Sequence, residues 1–218
     1  MNIKDYNIIL ASNSPRRKEI LSGANYEFNV YVPNTKETNI IGSVFTEELV
    51  KACAENKAKS AYEMLKKDFS NIKILNANEK PSNKNVYDIL ADKNLLIVAA
   101  DTVVVNDNII IGKPKNREDA INTLTSLSNK THKVVTTICI INNELIKTAS
   151  ETTLVTFKKL EKKQIEDYVD NFKPYDKAGS YGIQDENFDF VKSIDGNLDN
   201  VIGFPLTTFK SLLKEMQN

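Results

Sequence analysis

Histidine, cysteine and arginine are scarce in this chain, with one, two and three copies respectively. The two cysteines, Cys53 and Cys139, cannot build a disulfide framework, and a cysteine metal site needs more ligands at close spacing. Both stand among apolar neighbours and read as small buried hydrophobes. Reduced thiols of this kind fit an intracellular, cytoplasmic setting. His132 lies between Thr131 and Lys133 with no evident nucleophile nearby, so a structural role is expected. A thiol hydrolase would have to pair it with Cys139, which sits inside the apolar run 138–141, where a thiol is expected to be inert. The longest unbroken apolar run is only Leu95–Ala100, against roughly 20 residues for a membrane span. No apolar core follows the charges of Met1–Asp5, so no secretory signal is expected. Charge of one sign is also missing: 29 basic side chains balance 29 acidic ones. That balance argues against broad binding to nucleic acid or to an anionic membrane.

With 218 residues, 41% of them apolar, the chain is long enough to bury about 70% of its unfolded surface. It needs no disulfide or structural metal to hold a core. Any anion site must be built locally, and the basic residues suggest where. Lysine supplies 26 of them, yet two of the three arginines, Arg16 and Arg17, are adjacent. A guanidinium is a planar fork that grips phosphate bidentately, which an ammonium cannot do.

Along the chain, residues 7–11 read as a short buried strand. Ser14 as N-cap and Pro15 as first helical residue then start a helix to Ser22. A second strand is expected over Tyr26–Val32. Thr46 to about Phe69 has helical periodicity, with Glu47 and Glu48 in the first turn and Leu49, Cys53, Ala61, Met64 and Leu65 on its apolar stripe. Residues 66–94, rich in Asn and Lys, read as a surface insertion without chemistry of its own. Leu95–Ala100 is a buried strand that runs on through Val103–Val105, turns at Asn106–Asn108 and returns over Ile109–Ile111. Asn116 caps a helix carrying Ala120, Ile121, Leu124 and Leu127. A long hairpin spans 133–141 and 144–157 about an Asn142-Asn143 turn. A helix over 161–172, a Gly-containing loop over 173–185, a strand over 188–194 and a helix from Pro205 complete the pattern. Interleaved helices and strands with an antiparallel hairpin specify a single α/β domain with a mixed sheet.

Several residues break local rules. Arg16 and Arg17 occupy the positive end of a helix, where cations are unfavourable unless an anion joins them. Solvated surface arginines are the plain alternative. Lys57 stands on the apolar stripe of its helix, so it must snorkel or meet an anion. Asp101 follows six apolar residues, and an ionised carboxylate there must be paired or coordinated. It also lies where α/β ligand sites form, toward the carboxyl end of a strand. Gly112-Lys113-Pro114 holds a lysine in a defined loop but lacks the spacing of a phosphate-binding Walker loop. In the segment 176–184 small residues allow close backbone approach, and Gln184 offers both a donor and an acceptor.

Six segments taken together resemble the Maf family of nucleoside triphosphate pyrophosphatases: ASNSPRRKEIL (11–21), AADTVVV (99–105), GKP (112–114), THKVVT (131–136), DKAGSYGIQ (176–184) and NVIGFPL (200–206). They occur in family order and cover most of the chain apart from 66–94. The resemblance implies one domain over 1–218, an elongated mixed sheet flanked by helices as in inosine triphosphatase-like folds, and a nucleotide bound in a cleft. It implies hydrolysis of a nucleoside triphosphate to monophosphate and pyrophosphate with Mg²⁺ or Mn²⁺. The family's catalytic acid falls on Asp101, which is also a metal ligand candidate together with Glu37. Its phosphate- and substrate-binding positions fall on Ser12, Arg16, Arg17, Lys57 and Lys113. Arg16, Thr102 and Gln184 resemble the branch that takes dTTP and UTP rather than 7-methyl-GTP, with Thr102 and Gln184 expected to read the base edge. A homodimer is the expected assembly, with neither nucleic acid nor membrane as partner. The chain departs from the family pattern at Leu127-Ser128-Asn129, Leu198-Asp199 and Gly203-Phe204-Pro205, which bears on pocket shape and dimer packing. A nucleotide-binding regulator of cell division would need the same basic residues but no working Asp101.

Overall fold

The computed structural model of the chain describes residues 6–32, 40–67, 75–76, 94–143, 145–186 and 188–216. Strand β1 (Asn7–Leu10) leads through Ser12–Ser14 into α1 (Pro15–Gly23), and β2 (Phe28–Val30) follows. Helix α2 (Glu47–Lys67) precedes the two-residue β3 (Leu75–Asn76) and the long β4 (Leu95–Asn106). Then come β5 (Ile109–Ile111), α3 (Arg117–Leu127), β6 (Thr131–Asn142), β7 (Leu145–Phe157) and α4 (Lys162–Phe172). A 3₁₀ turn (Ala178–Ser180), β8 (Val191–Asp195), α5 (Leu198–Ile202) and α6 (Leu206–Glu215) complete the chain.

The strands form one mixed sheet in the order β3-β2-β1-β4-β6-β7-β8, with β5 returning along the far half of β4. β1 runs parallel to both β2 and β4, whereas the β4–β6, β6–β7 and β7–β8 pairs are antiparallel. This is the α/β domain with a mixed sheet expected from the interleaved pattern. The expected 66–94 insertion lies mostly outside the described residues; its residues 75 and 76 pair with β2.

Register decides which side chains meet. On β4, Leu96, Val98 and Ala100 join the core beneath α1 and α6. Leu95, Ile97 and Ala99 face the other way, into α2. Alternation along the strand therefore sends Thr102 to the first face and Asp101 to the second. On the first face the core is in two parts. Ala100 belongs to the α1/α6 cluster, while Val104 belongs to an aromatic-rich cluster built on α3, α4 and Phe157. Thr102 sits between them.

Several local expectations need correction. Met64 is 37% exposed, and α2 instead buries Val50, Cys53, Ala54, Ala58, Ala61 and Leu65. The helix turns its alanines inward, because small side chains let it lie close on the sheet. Ser14 occupies the N-cap position of α1 but makes no side-chain capping bond. The expected Tyr26–Val32 strand narrows to Phe28–Val30, the residues that pair with Ile8–Leu10 of β1. The strand expected over 188–194 begins at Val191, since Phe188 and Phe190 are drawn into the aromatic cluster. The short α5 was not expected. Asn197 caps it by accepting from the Asp199 amide (2.9 Å), and Gly203 at φ 112° ends it. Elsewhere the expectations hold: the Asn116 side chain caps α3 through the Asp119 amide (2.9 Å), and the hairpin turns at Asn142-Asn143.

Candidate active site

Strand order reverses at β1, with β2 on one side and β4 on the other, and in α/β sheets ligands bind beyond the carboxyl end of such a strand. A cleft of about 590 Å³ opens there. Ser12, Arg16, Arg17, Lys57, Asp101, Thr102, Lys113 and Gln184 all line it, although they come from five separate stretches of chain. Glu37, the other expected metal ligand, lies outside the described residues.

The chain builds the floor of the cleft from its own unpaired backbone. β1 pairs with β4 only as far as Leu10 opposite Val98, and β5 begins opposite Val104. On that edge, the β4 stretch between them has no strand beside it among the described residues. Arg17 fills the gap. It donates to the Ala100 carbonyl (2.8 Å), the Ser12 hydroxyl (3.1 Å), the Thr102 hydroxyl (3.1 Å) and the Gly203 carbonyl (2.9 Å). Four of a guanidinium's five N–H donors are thereby committed to the protein.

Thr102 is committed as well. Thr136 donates its hydroxyl to the Asn200 carbonyl (3.0 Å), so in the 3.0 Å contact between the two threonines Thr102 must be the donor. Asn200 in turn donates to the Val134 carbonyl and the Thr153 hydroxyl, both at 2.9 Å. This chain of bonds holds the Gly203 segment against Arg17. The single hydroxyl hydrogen of Thr102 is taken, and Arg17 occupies one of its lone pairs.

On the opposite face of β4, Asp101 forms an ion pair with Lys57 of α2. The lysine that broke the apolar stripe thus meets the carboxylate that followed the apolar run, and both remain partly open to the cleft. Arg16 reaches Asp176 across the cleft mouth (3.3 Å), and Lys177 also pairs with Asp176 (3.1 Å). Burial pushes the Asp176 carboxyl up, but Lys177 and Arg16 outweigh it and hold the group below the usual carboxylate range. Lys113 is exposed on a loop tied down by the Gly179 amide donating to the Gly112 carbonyl (3.0 Å). Gln184 is exposed, and its amide has no hydrogen-bond partner among the described residues.

Lys177 was not singled out from sequence. It lines the same cleft, with only 13% of its side chain exposed. A lysine directly before a run of small residues was the available signal. Five cationic side chains and two carboxylates now face the cleft, in a chain of zero net charge. Any anion site in this neutral chain would have to be local, and this cleft gathers five cationic side chains in one place.

A family model described as Maf-like protein matches residues 7–216. The chain belongs to this family. Curated relatives agree over nearly the full length. A dTTP/UTP pyrophosphatase of Clostridium perfringens (strain 13 / Type A) is 38% identical over 213 residues, covering 97% of this chain and 96% of the relative. Proteins of the same name from Parabacteroides distasonis and Phocaeicola vulgatus are 37% and 36% identical, covering 98% and 99% of this chain and 97% and 98% of those relatives.

Two other groups in this Maf-like chain stand apart from the cleft chemistry. Cys139 is fully buried, and desolvation pushes its thiol up to about 12, which leaves no thiolate for catalysis. His132 is buried edge-on against Phe157 (4.8 Å), with Nε2 at 2.8 Å from the Tyr181 hydroxyl. Burial lowers its pKa to about 4, so it is neutral and structural at pH 7. Among the described residues no three His, Cys, Asp or Glu side chains converge as a metal cage. Mg²⁺ is commonly held by one or two carboxylates plus substrate phosphates. Asp101, partly open to a cationic cleft, fits that donor set once a triphosphate supplies the remaining oxygens.

Proposed function

We propose that this protein hydrolyses nucleoside triphosphates, dTTP and UTP foremost, to the monophosphate and pyrophosphate. The observation that carries the reading is the convergence of Asp101, Lys57, Arg16, Lys113 and Gln184 on one cleft. The names of the relatives support the choice of substrate. A triphosphate brings close to four negative charges, and cutting between its α and β phosphates requires those charges to be neutralised and a water aimed at phosphorus.

In this proposal Arg16 exchanges its exposed Asp176 partner for phosphate oxygens, and Lys113 and Lys177 flank the polyphosphate. Asp101 orients the attacking water and takes up its proton, while Lys57 holds the carboxylate in place through their ion pair. A divalent cation, Mg²⁺ or Mn²⁺, held by Asp101, would supply charge neutralisation at the phosphates. Gln184, with its free amide, reads the oxygen and N–H pattern of a pyrimidine. Arg17, Ser12 and Thr102 shape the cleft floor on which these groups stand. The proposed assembly is a homodimer, and the proposed setting is the cytoplasm, where free thiols such as Cys53 and Cys139 persist.

The test is pyrophosphate release from dTTP, UTP, CTP, 7-methyl-GTP, dITP and ATP, with Mg²⁺, with Mn²⁺ and with a chelator. Metal-dependent release from dTTP and UTP is expected. Asp101→Asn should lower kcat by about 10³-fold or more while the melting temperature stays close to that of the parent. Near-normal turnover in that variant would overturn the assignment. Nucleotide binding without any release would instead favour a regulator.

A further inference from the structure

The turn that presents Gln184 is clamped at both ends by one phenol. The Asp185 amide donates to the Gly182 carbonyl (3.0 Å), closing a four-residue turn with Ile183 and Gln184 at its tip. Behind it, the Tyr168 hydroxyl accepts from the Gly182 amide (2.9 Å) and donates to the Asp185 carboxylate (2.5 Å). One atom therefore holds the first and last residues of the turn. Tyr168 comes from α4, whose ring stacks on Phe172 (5.1 Å) and packs against Phe188 and Phe190. It is a rigid support, buried among aromatics and outside the cleft lining.

The fit is close. A Cβ at Gly182 would meet the Asp185 carboxylate oxygens at 2.6 and 2.7 Å and the Lys177 side chain at 2.7 Å. The Lys177 ammonium stands 3.9 Å from the Asp185 carboxylate. Gln184 itself is exposed and makes no hydrogen bond to the described residues. Its position depends on the turn beneath it, not on contacts of its own.

We infer that Tyr168 and Asp185 are the positioning residues for base selectivity: they fix where the Gln184 amide stands, and so determine how strongly the site separates one pyrimidine from another. This rests on the proposed function and deepens it. A site built to hydrogen-bond its substrate discriminates through the placement of a few polar atoms, and misplacing them by an ångström is costly.

The test is kcat and KM for dTTP, UTP and CTP with Mg²⁺ in Tyr168→Phe, Asp185→Ala, Asp185→Asn and Gln184→Ala. Tyr168→Phe and Asp185→Ala should lower the dTTP-to-CTP ratio of kcat/KM by about tenfold, with kcat on dTTP within about threefold of the parent. Asp185→Asn should retain most of the selectivity, because its amide oxygen still accepts from Tyr168. Gln184→Ala should lose as much selectivity, and adding Tyr168→Phe to it should change the ratio by less than about twofold, since both act through one group. A general folding defect would lower turnover on every substrate and leave the ratio alone. An unchanged ratio in Tyr168→Phe and in Asp185→Ala overturns the inference. If Tyr168→Phe does not fold, the Asp185 pair of variants decides it. A parent protein that releases no pyrophosphate, or that does not separate dTTP from CTP, overturns the proposed function and this inference together. That failure is seen in the parent, whereas failure of the inference alone is seen only in the variants.

Discussion

Arg17 and Arg16 are neighbours in sequence but differ in what holds them. Arg17 donates to acceptors on three segments of chain, in geometry that only a planar fork can span. Arg17→Lys should therefore lower stability by about 2 kcal/mol, read as a shift in the urea midpoint, because it strands the buried carbonyls of Ala100 and Gly203. Arg16 holds an ion pair with Asp176, which is more than half exposed, and such pairs contribute little to stability. Arg16→Lys should raise KM for dTTP several-fold and leave the urea midpoint nearly unchanged. His132 makes a separate prediction. Its folded pKa, about 4, lies below the ordinary 6.5, so between those values the unfolded chain binds the extra proton. The stability associated with neutral His132 is complete above about pH 6.5 and is lost as pH falls toward 4, by a few kcal/mol in all. Urea midpoints of the parent should fall across that window more steeply than those of His132→Gln.

Among the elements, the 3₁₀ turn at Ala178–Ser180 joins the Lys113 loop to the Gln184 loop. Gly179 adopts φ 71°, and its amide donates to the Gly112 carbonyl. A Cβ there would stand 2.6 Å from Val104 Cγ2 and 3.3 Å from the Tyr181 ring. Gly179→Ala combines a left-handed backbone with overpacking, so it should cost about 2–4 kcal/mol and weaken dTTP binding as both loops shift. Calorimetry and KM together would check this. The β4–β5 hairpin turn carries Asp107 and Asn108 at φ 49° and 63°. Both are residues that tolerate this region, which is why a turn was legible there from sequence.

For the molecule as a whole, the contrast between zero net charge and a strongly cationic cleft sets the salt dependence. Raising NaCl from about 50 to 500 mM should increase KM for dTTP several-fold, because added salt screens the attraction between the cationic cleft and the polyphosphate. The urea midpoint should barely move, since the core on either face of the sheet is apolar. A KM insensitive to salt would mean that the cationic side chains do not meet the polyphosphate.

Strand and helix periodicities, the Asn116 cap, the long hairpin and the residues out of place in their surroundings were legible in the sequence, because each is a local conflict or a local rule. Lys57 on an apolar stripe and Asp101 after an apolar run each announced a missing partner; that they are each other's partner depends on α2 lying across β4. The clamp of Tyr168 on Gly182 and Asp185 and the hydrogen bonds of Thr102 with Thr136 and Arg17 carried no local sign. Hydrogen-bond partners 14 to 85 residues apart are chosen by packing, which brings distant segments to one edge of a sheet only after the chain has folded. Sequence alone determined which side chains needed a partner; the tertiary structure decided which partner each received, because burial leaves a polar group no water to bond with and only the neighbours that the fold supplies.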